Sequence, residues 1–284
     1  MSYEFETLNN IYKPLYDYVK TTVDRLKSCG YKCEWGYYNY HYIRRNNDWA
    51  LEYFPIPVIE VNGMCDIGID LNHIFIEYKL IKKAALKYDF EKLKKYKFEI
   101  YGVEEYLDDF YNENMDFEGI KDRIDKSEET TIGISIFLSE KAPFEQILEV
   151  VKLIEESYFE SVAIKSIQES SDKNYSFIIG KELNCIIDRP LGSFHPKHKH
   201  IKYYVNYGYV NEYKVLDNEE QDIYLLGVDE AVNRFEAVVI AIIHRKDDIE
   251  DKWIIAPKGI SFTDNEILRN VMFQEKYFDI ELYI

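Results

Sequence analysis

Apolar residues recur at two different spacings along the chain, and the spacings separate helices from strands. Leu15, Val19, Val23 and Leu26 follow Pro14 three and four residues apart and end at Gly30, the pattern of an amphipathic helix with a glycine stop. Alternation then takes over. Val58, Ile59 and Val61, then Ile67, Ile69 and Leu71, then Ile74, Ile76 and Tyr78 read as successive antiparallel strands, with Asn62-Gly63 and Asn72-His73 as turns. Helical spacing returns over Lys82 to Lys97, Val103 to Asn112 and Phe144 to Tyr158, with a strand over Ile132 to Leu138. A polar stretch, Ser166 to Asn174, reads as a linker. It divides the chain into an α+β domain over 1–170 and a second domain over 175–284.

The second part is a run of short apolar strands: Ser176 to Ile179, Asn184 to Ile187, Ile223 to Val228, Ala237 to Ile243 and Lys252 to Ala256, separated by Gly, Pro and Asp clusters. Evenly spaced short strands point to a small closed barrel, and Thr263 is placed to cap a final helix over Asp264 to Tyr277.

A chain of 284 residues, 46% hydrophobic and 31% charged, has the composition of a globular protein. Its 26 Tyr and 16 Phe fit half-buried strand positions and core packing. The formal charge of −17 argues against nucleic-acid and anionic-membrane partners, which reward clustered Lys and Arg. Phosphate chemistry in such a protein has to be local, through metal ions or a small basic pocket. Cys29, Cys33, Cys65 and Cys185 match no closed zinc pattern and read as separate thiols. No basic start followed by an apolar core, and no run long enough to span a bilayer, is present; the expected location is cytoplasmic.

Chemistry concentrates in the second part. Asp188-Arg189-Pro190 is followed by Tyr203-Tyr-Val-Asn-Tyr-Gly-Tyr209, by Asp217-Asn-Glu-Glu-Gln-Asp222 and by Asp247-Asp-Ile-Glu-Asp-Lys252. Mg2+ is held by a few carboxylates plus water and substrate phosphate, so two acidic clusters facing each other across a barrel suit it. An acidic loop before a strand is also what a solvated turn looks like; Arg189, Tyr207 and Lys252 nearby favour the metal. His195-Pro-Lys-His-Lys-His200 is either a phosphate- or metal-binding segment or an exposed loop.

The Tyr-rich run followed by Asp-x-Glu-x-x-Asp resembles the Tyr-Pro-x-Asn-Tyr-Gly-Tyr and Asp-x-Asp-x-x-Asp signature of soluble, Mg2+-dependent inorganic pyrophosphatases. Asp188-Arg189, the Asp247 to Lys252 segment and Phe273-x-Glu-x-Tyr277 are similar to further segments of that family, in the same order. The resemblance implies an OB-like barrel with a C-terminal helix and hydrolysis of inorganic diphosphate. It implies Asp217, Glu219, Asp222, Asp247 or Asp248, and Glu250 or Asp251 as metal ligands. It further implies Arg189, Tyr203, Tyr207, Lys252 and Tyr277 as phosphate contacts, with Glu219, Tyr207 and Lys252 catalytic and Glu219 helping to deprotonate the attacking water.

Three departures define an alternative. Glu219 stands where the family has Asp, Phe278 where it has Lys beside the final Tyr, and Lys181-Glu182 lacks the spacing of the family's early Lys-x-Glu pair. A domain altered in this way would bind a phosphorylated small molecule as a sensor or interaction module. The first 170 residues hold no comparable cluster: Asp66, Asp70, Glu77 and Lys79 alternate as on the wet face of a sheet. That part reads as a regulatory, specificity or homo-oligomerising domain.

Overall fold

The computed structural model describes residues 13–38, 41–45, 48–52, 56–69, 73–103, 116–166, 175–198, 201–214, 220–248 and 250–284. The chain is of mixed α and β class and divides into two compact units, Met1–Glu155 and Glu156–Ile284.

The first unit carries a six-stranded antiparallel sheet made of β1 (Cys33–Tyr38), β4 (Ile56–Val61), β5 (Cys65–Ile69), β6 (His73–Ile81), β8 (Thr131–Ser139) and β7 (Lys97–Gly102), in that spatial order. A separate hairpin joins β2 (His41–Arg45) to β3 (Asp48–Glu52). Helices α1 (Lys13–Ser28), α2 (Lys82–Lys87), α3 (Phe117–Lys126) and α4 (Phe144–Ser161) complete the unit, and the unit boundary falls within α4. Buried Val19, Val23 and Leu26 of α1, and Ile147, Val150, Val151 and Ile154 of α4, are the periodic apolar positions of the sequence. The Asn62-Gly63 turn is confirmed: both residues have positive φ (51° and 64°), and Met64 N–H donates to the Val61 carbonyl at 2.8 Å.

Two adjacent register rows show how the pleat sorts this sheet. Trp35, Ile59, Ile67, Ile76, Ile136 and Phe98 stand directly opposite one another across all six strands on one face. One residue along, on the other face, the row is Glu34, Glu60, Asp66, Glu77, Ser135 and Glu99. Five carboxylates thus line up where neighbouring strands bring like charges closest. Tyr101 lies over Gly133, whose missing Cβ makes the room, and burial together with Glu77 pushes its phenol well above the ordinary range.

Lys82 to Lys97 is not one helix, contrary to its spacing. Tyr88 and Asp89 adopt extended backbone after α2. A 3-10 turn, Phe90–Leu93, follows, and β7 then begins at Lys97, where Phe98 and Ile100 alternate inward against β8. Pairing along β8 overrides the local helical pattern. Residues 104–112 of the second expected helix, Asp70 to Asn72, and 167–174 of the expected linker lie outside the described residues.

The second unit holds a closed five-stranded barrel in the order β10 (Glu182–Arg189), β11 (Asn206–Lys214), β12 (Glu220–Leu225), β14 (Asp251–Ala256) and β13 (Arg234–Arg245), with β13 pairing back to β10. Outside the closure, β15 (Ile280–Tyr283) pairs β13 and β9 (Ala163–Lys165) pairs β15. Ile187, Val210, Ile223, Val239, Trp253 and Ile255 are among the buried residues of the barrel core. Ser176 to Ile179 is a turn and not a strand: Ile178 and Ile179 N–H both donate to the Tyr175 carbonyl, and Gly180 follows at φ 84°. Tyr175 and Ile178 pack into the same core. The final helix α5 (Asp264–Glu275) opens with a capping box between Thr263 and Glu266.

Replacing Glu77 by Ala removes the carboxylate that the buried Tyr101 hydroxyl bonds to. We expect a loss of about 1–3 kcal/mol in denaturant unfolding, the cost of a buried donor left unsatisfied. Unchanged stability of Glu77→Ala would show that Tyr101 does not depend on this acceptor.

Candidate phosphate-binding site on the barrel

In the second unit β12 and β14 run parallel, with Ile223 opposite Trp253 and Tyr224 opposite Ile254. This sets Asp222 beside Lys252 on the outer face of the barrel, while Ile223 and Trp253 point into the core. The Lys252 ammonium donates to Asp222 Oδ2 at 2.5 Å and also to the Glu250 carboxylate, although the residue is only 2% exposed. Tyr207 of β11 donates its hydroxyl to the same Asp222 oxygen at 2.5 Å. Burial and the Asp222 charge together hold the Tyr207 phenol well above its ordinary range, so it remains a donor.

Arg189 closes the other side. Its guanidinium carbon lies 4.9 Å from the Tyr207 ring centroid and 5.9 Å from that of Tyr203, and an N–H reaches the Tyr203 hydroxyl at 3.4 Å. Gly208 makes the approach of β10 to β11 feasible: a Cβ there would sit 1.9 Å from the Ile186 carbonyl oxygen. Asn206, fully buried, accepts from Leu191 and Val232 N–H and donates to the Val228 and Glu230 carbonyls, tying both neighbouring loops to β11. The sequence motif contained this residue without indicating that role.

Behind the site lies a buried polar network. Arg245 donates through Nε and NH2 to both oxygens of Glu275 at 2.8 and 2.6 Å, and Tyr224 donates to Glu275 at 2.5 Å and to Gln274 at 3.0 Å. Burial alone would lower the Arg245 pKa; the paired Glu275 outweighs it and the net shift is upward. The face of Arg245 rests 3.6 Å from the Phe278 ring centroid, and NH1 reaches Asp248 at 3.2 Å. Where the resembling family has a cation at the position of Phe278, this chain places an aromatic ring under a cation from β13. The Tyr224 ring packs edge-on against Tyr207 at 4.9 Å, joining this network to the site.

The expected site residues therefore divide. Arg189, Tyr203, Tyr207, Asp222, Glu250 and Lys252 converge. Asp247 accepts from Asp279 N–H, Asp248 pairs with Arg245, and Asp251 accepts from Tyr175 and His244. The Tyr277 ring stands 5.1 Å from the Lys276 ammonium. Asp217 and Glu219 lie outside the described residues. Asp222 and Glu250 offer the oxygen donors that a hard cation such as Mg2+ prefers, and their meeting at one ammonium shows that both reach a common cationic point. Among the described residues no group of three or more His, Cys, Asp or Glu is arranged to hold a metal ion.

Ahead of β11 a short hairpin leans on the site. Gly192 N–H donates to the Tyr203 carbonyl, Tyr203 N–H to that of Ser193, and His195 N–H to that of Ile201. His195 Nδ1 accepts from Lys197 and His198 N–H at 3.1 and 3.0 Å, and its ring lies nearly parallel to Tyr203, 15° apart with centroids at 6.3 Å. Residues 199 and 200 lie outside the described ones.

The architecture is thus a six-stranded sheet unit joined in one chain to a closed barrel with a polar cluster on its outer wall. The chain belongs to the family described as "Protein of unknown function (DUF3201)", whose model matches residues 6–152. No curated protein matches it. Among solved structures, a conserved hypothetical protein from Pyrococcus furiosus is similar at 22% identity, with 94% of that chain and 55% of this one covered and a TM-score of 0.42. Inorganic pyrophosphatases from Ehrlichia chaffeensis and Coxiella burnetii are similar at 16% and 15% identity, over 84% of each of those chains and 36% and 37% of this one, with TM-scores of 0.30 and 0.29. None of these similarities assigns a role to a residue. Among the described residues no helix is long and apolar enough to cross a membrane.

Removing one partner of the buried pair should be costly: Glu275→Ala takes away the fully buried partner of Arg245, leaves it the partly exposed Asp248, and is expected to destabilise by about 3 kcal/mol in denaturant unfolding. The double replacement Arg245→Met with Glu275→Leu should recover most of that loss. Equal stability of Glu275→Ala and the unmodified chain would show that the pair is solvated.

Proposed function

We propose that the second unit binds inorganic diphosphate, or a related small phosphoanhydride, at the Arg189, Tyr207, Asp222 and Lys252 cluster, and hydrolyses it to phosphate with Mg2+. The observation that supports this reading most is the meeting of a guanidinium, an ammonium, two phenols and two carboxylates from four neighbouring barrel strands and the segments before β11 and β14.

In this reading Arg189 forks onto phosphate oxygens, its face already supported by Tyr207 and Tyr203. Tyr203 and Tyr207 stay protonated, Tyr203 chiefly through burial; the Tyr203 hydroxyl can donate to a bound anion, while that of Tyr207 holds Asp222. Lys252 supplies a buried point charge at the anhydride. Asp222 and Glu250, with Asp217 and Glu219 of the preceding segment, would hold Mg2+, which when bound would supply charge neutralisation along the phosphoanhydride. Glu219 would take the proton from the attacking water.

A second reading, binding without hydrolysis, is favoured by one specific feature: Lys252 bridges Asp222 and Glu250 and so already sets a cation between them.

Phosphate release from diphosphate by the full chain, with and without Mg2+, tests the first reading. Release should require Mg2+ and fall at least about a hundredfold in Asp222→Asn, while Arg189→Ala should weaken binding of a methylene-bridged diphosphate analogue by about ten- to a hundredfold. Analogue binding without Mg2+-dependent release would select the second reading, and neither binding nor release would overturn both.

A further inference from the structure

The hairpin ahead of β11 bears on what the site accepts. In a chain with a net charge of −17, residues 195–202 hold three His and three Lys, the densest basic run of the second unit. Two observations attach it to the site. His195 stacks on Tyr203, whose hydroxyl contacts Arg189 and whose ring lies 5.2 Å from that of Tyr207. The two backbone donors on His195 Nδ1 also place the ring proton of the neutral imidazole on Nε2, where it can be donated to an anion. Beyond His195, with rings 4.8 Å apart, stands His198, and both His198 and Lys197 are exposed.

The donors His195, His198 and Lys197 are therefore joined to Arg189 through the buried Tyr203 ring and lie past the cluster that a diphosphate needs. From this continuity we infer that the ligand carries a chain of three or more phosphoryl groups, whose far end is bound by the hairpin. The inference rests on the phosphate-binding reading of the site and names its substrate class. An inorganic oligophosphate and a nucleoside triphosphate share that chemistry.

The test titrates the full chain with methylene-bridged diphosphate and triphosphate analogues and with the methylene-bridged analogue of a nucleoside triphosphate. The triphosphate should bind about tenfold more tightly than the diphosphate, as expected of one or two added charge-assisted hydrogen bonds. In the double variant Lys197→Gln, His198→Gln that margin should disappear while diphosphate affinity stays within about threefold, since the exposed hairpin lies outside the Arg189 and Lys252 contacts. Nucleoside triphosphate binding at least as tightly as the free chain identifies a nucleoside-borne substrate; weaker binding identifies the inorganic chain. If the wild type binds diphosphate but shows no preference for the longer chain, or the variant keeps the preference, the inference is overturned and the site reading survives. Binding of none of the analogues overturns both.

Discussion

The Lys252 ammonium sits almost fully out of water between two carboxylates, and much of the second unit is organised around it. A cation so placed loses its hydration and is tolerable only where geometry returns the lost interactions. The return comes from Asp222 and Glu250, and Asp222 in turn receives the Tyr207 hydroxyl. The parallel pairing of β12 with β14 is what makes this feasible, because same-facing residues of parallel neighbours stand side by side. On the inner side of β14, Asp251 is held by Tyr175 and His244, and Gln221 donates to the Asp251 carbonyl. The phase of the strand that turns Lys252 outward is thereby fixed from within the barrel.

The Arg245 and Glu275 pair extends the same logic to the last helix. It joins α5 to β13 through two charge-assisted bonds, adds Tyr224 as a third donor to Glu275, and leaves the guanidinium face on Phe278. Tyr224 contacts the site through the edge of Tyr207, and Phe273 of α5 packs edge-on against both Tyr224 and Tyr203. A change in the helix would reach the phosphate cluster directly, through Phe273 on the Tyr203 ring.

The first unit manages charge in the opposite way. Its sheet buries one face against apolar side chains, and the other sets a carboxylate row beside a buried cluster of Ile56, Val58 and Phe75. Ser135 stands between Glu77 and Glu99, and Tyr101 packs over Gly133.

Periodicity and turn residues determined by themselves much of the element order: α1, the strands around Asn62-Gly63, α4, four of the five barrel strands and the Thr263 cap are local patterns, whereas β11 is not among the strands expected from the sequence. The Tyr-rich and acidic motifs, through their resemblance to soluble pyrophosphatases, also marked out Arg189, Tyr203, Tyr207, Asp222, Glu250 and Lys252 within a longer set of candidates. Which carboxylate faces which partner was not legible, because Asp247, Asp248, Glu250 and Asp251 share one short segment and differ only in direction. That direction is set by strand pairing with β12 and β13 and by buried partners as distant in sequence as Tyr175 and Asp279. The same holds for Lys82 to Lys97, where the long-range ladder with β8 prevails over helical spacing, and for Arg245, whose meeting with Glu275 and Phe278 exists only once the helix folds back onto the barrel. Local propensity acts over a few residues, whereas the orientation of a buried charge is decided by whichever opposite charge the closed fold brings within hydrogen-bond reach.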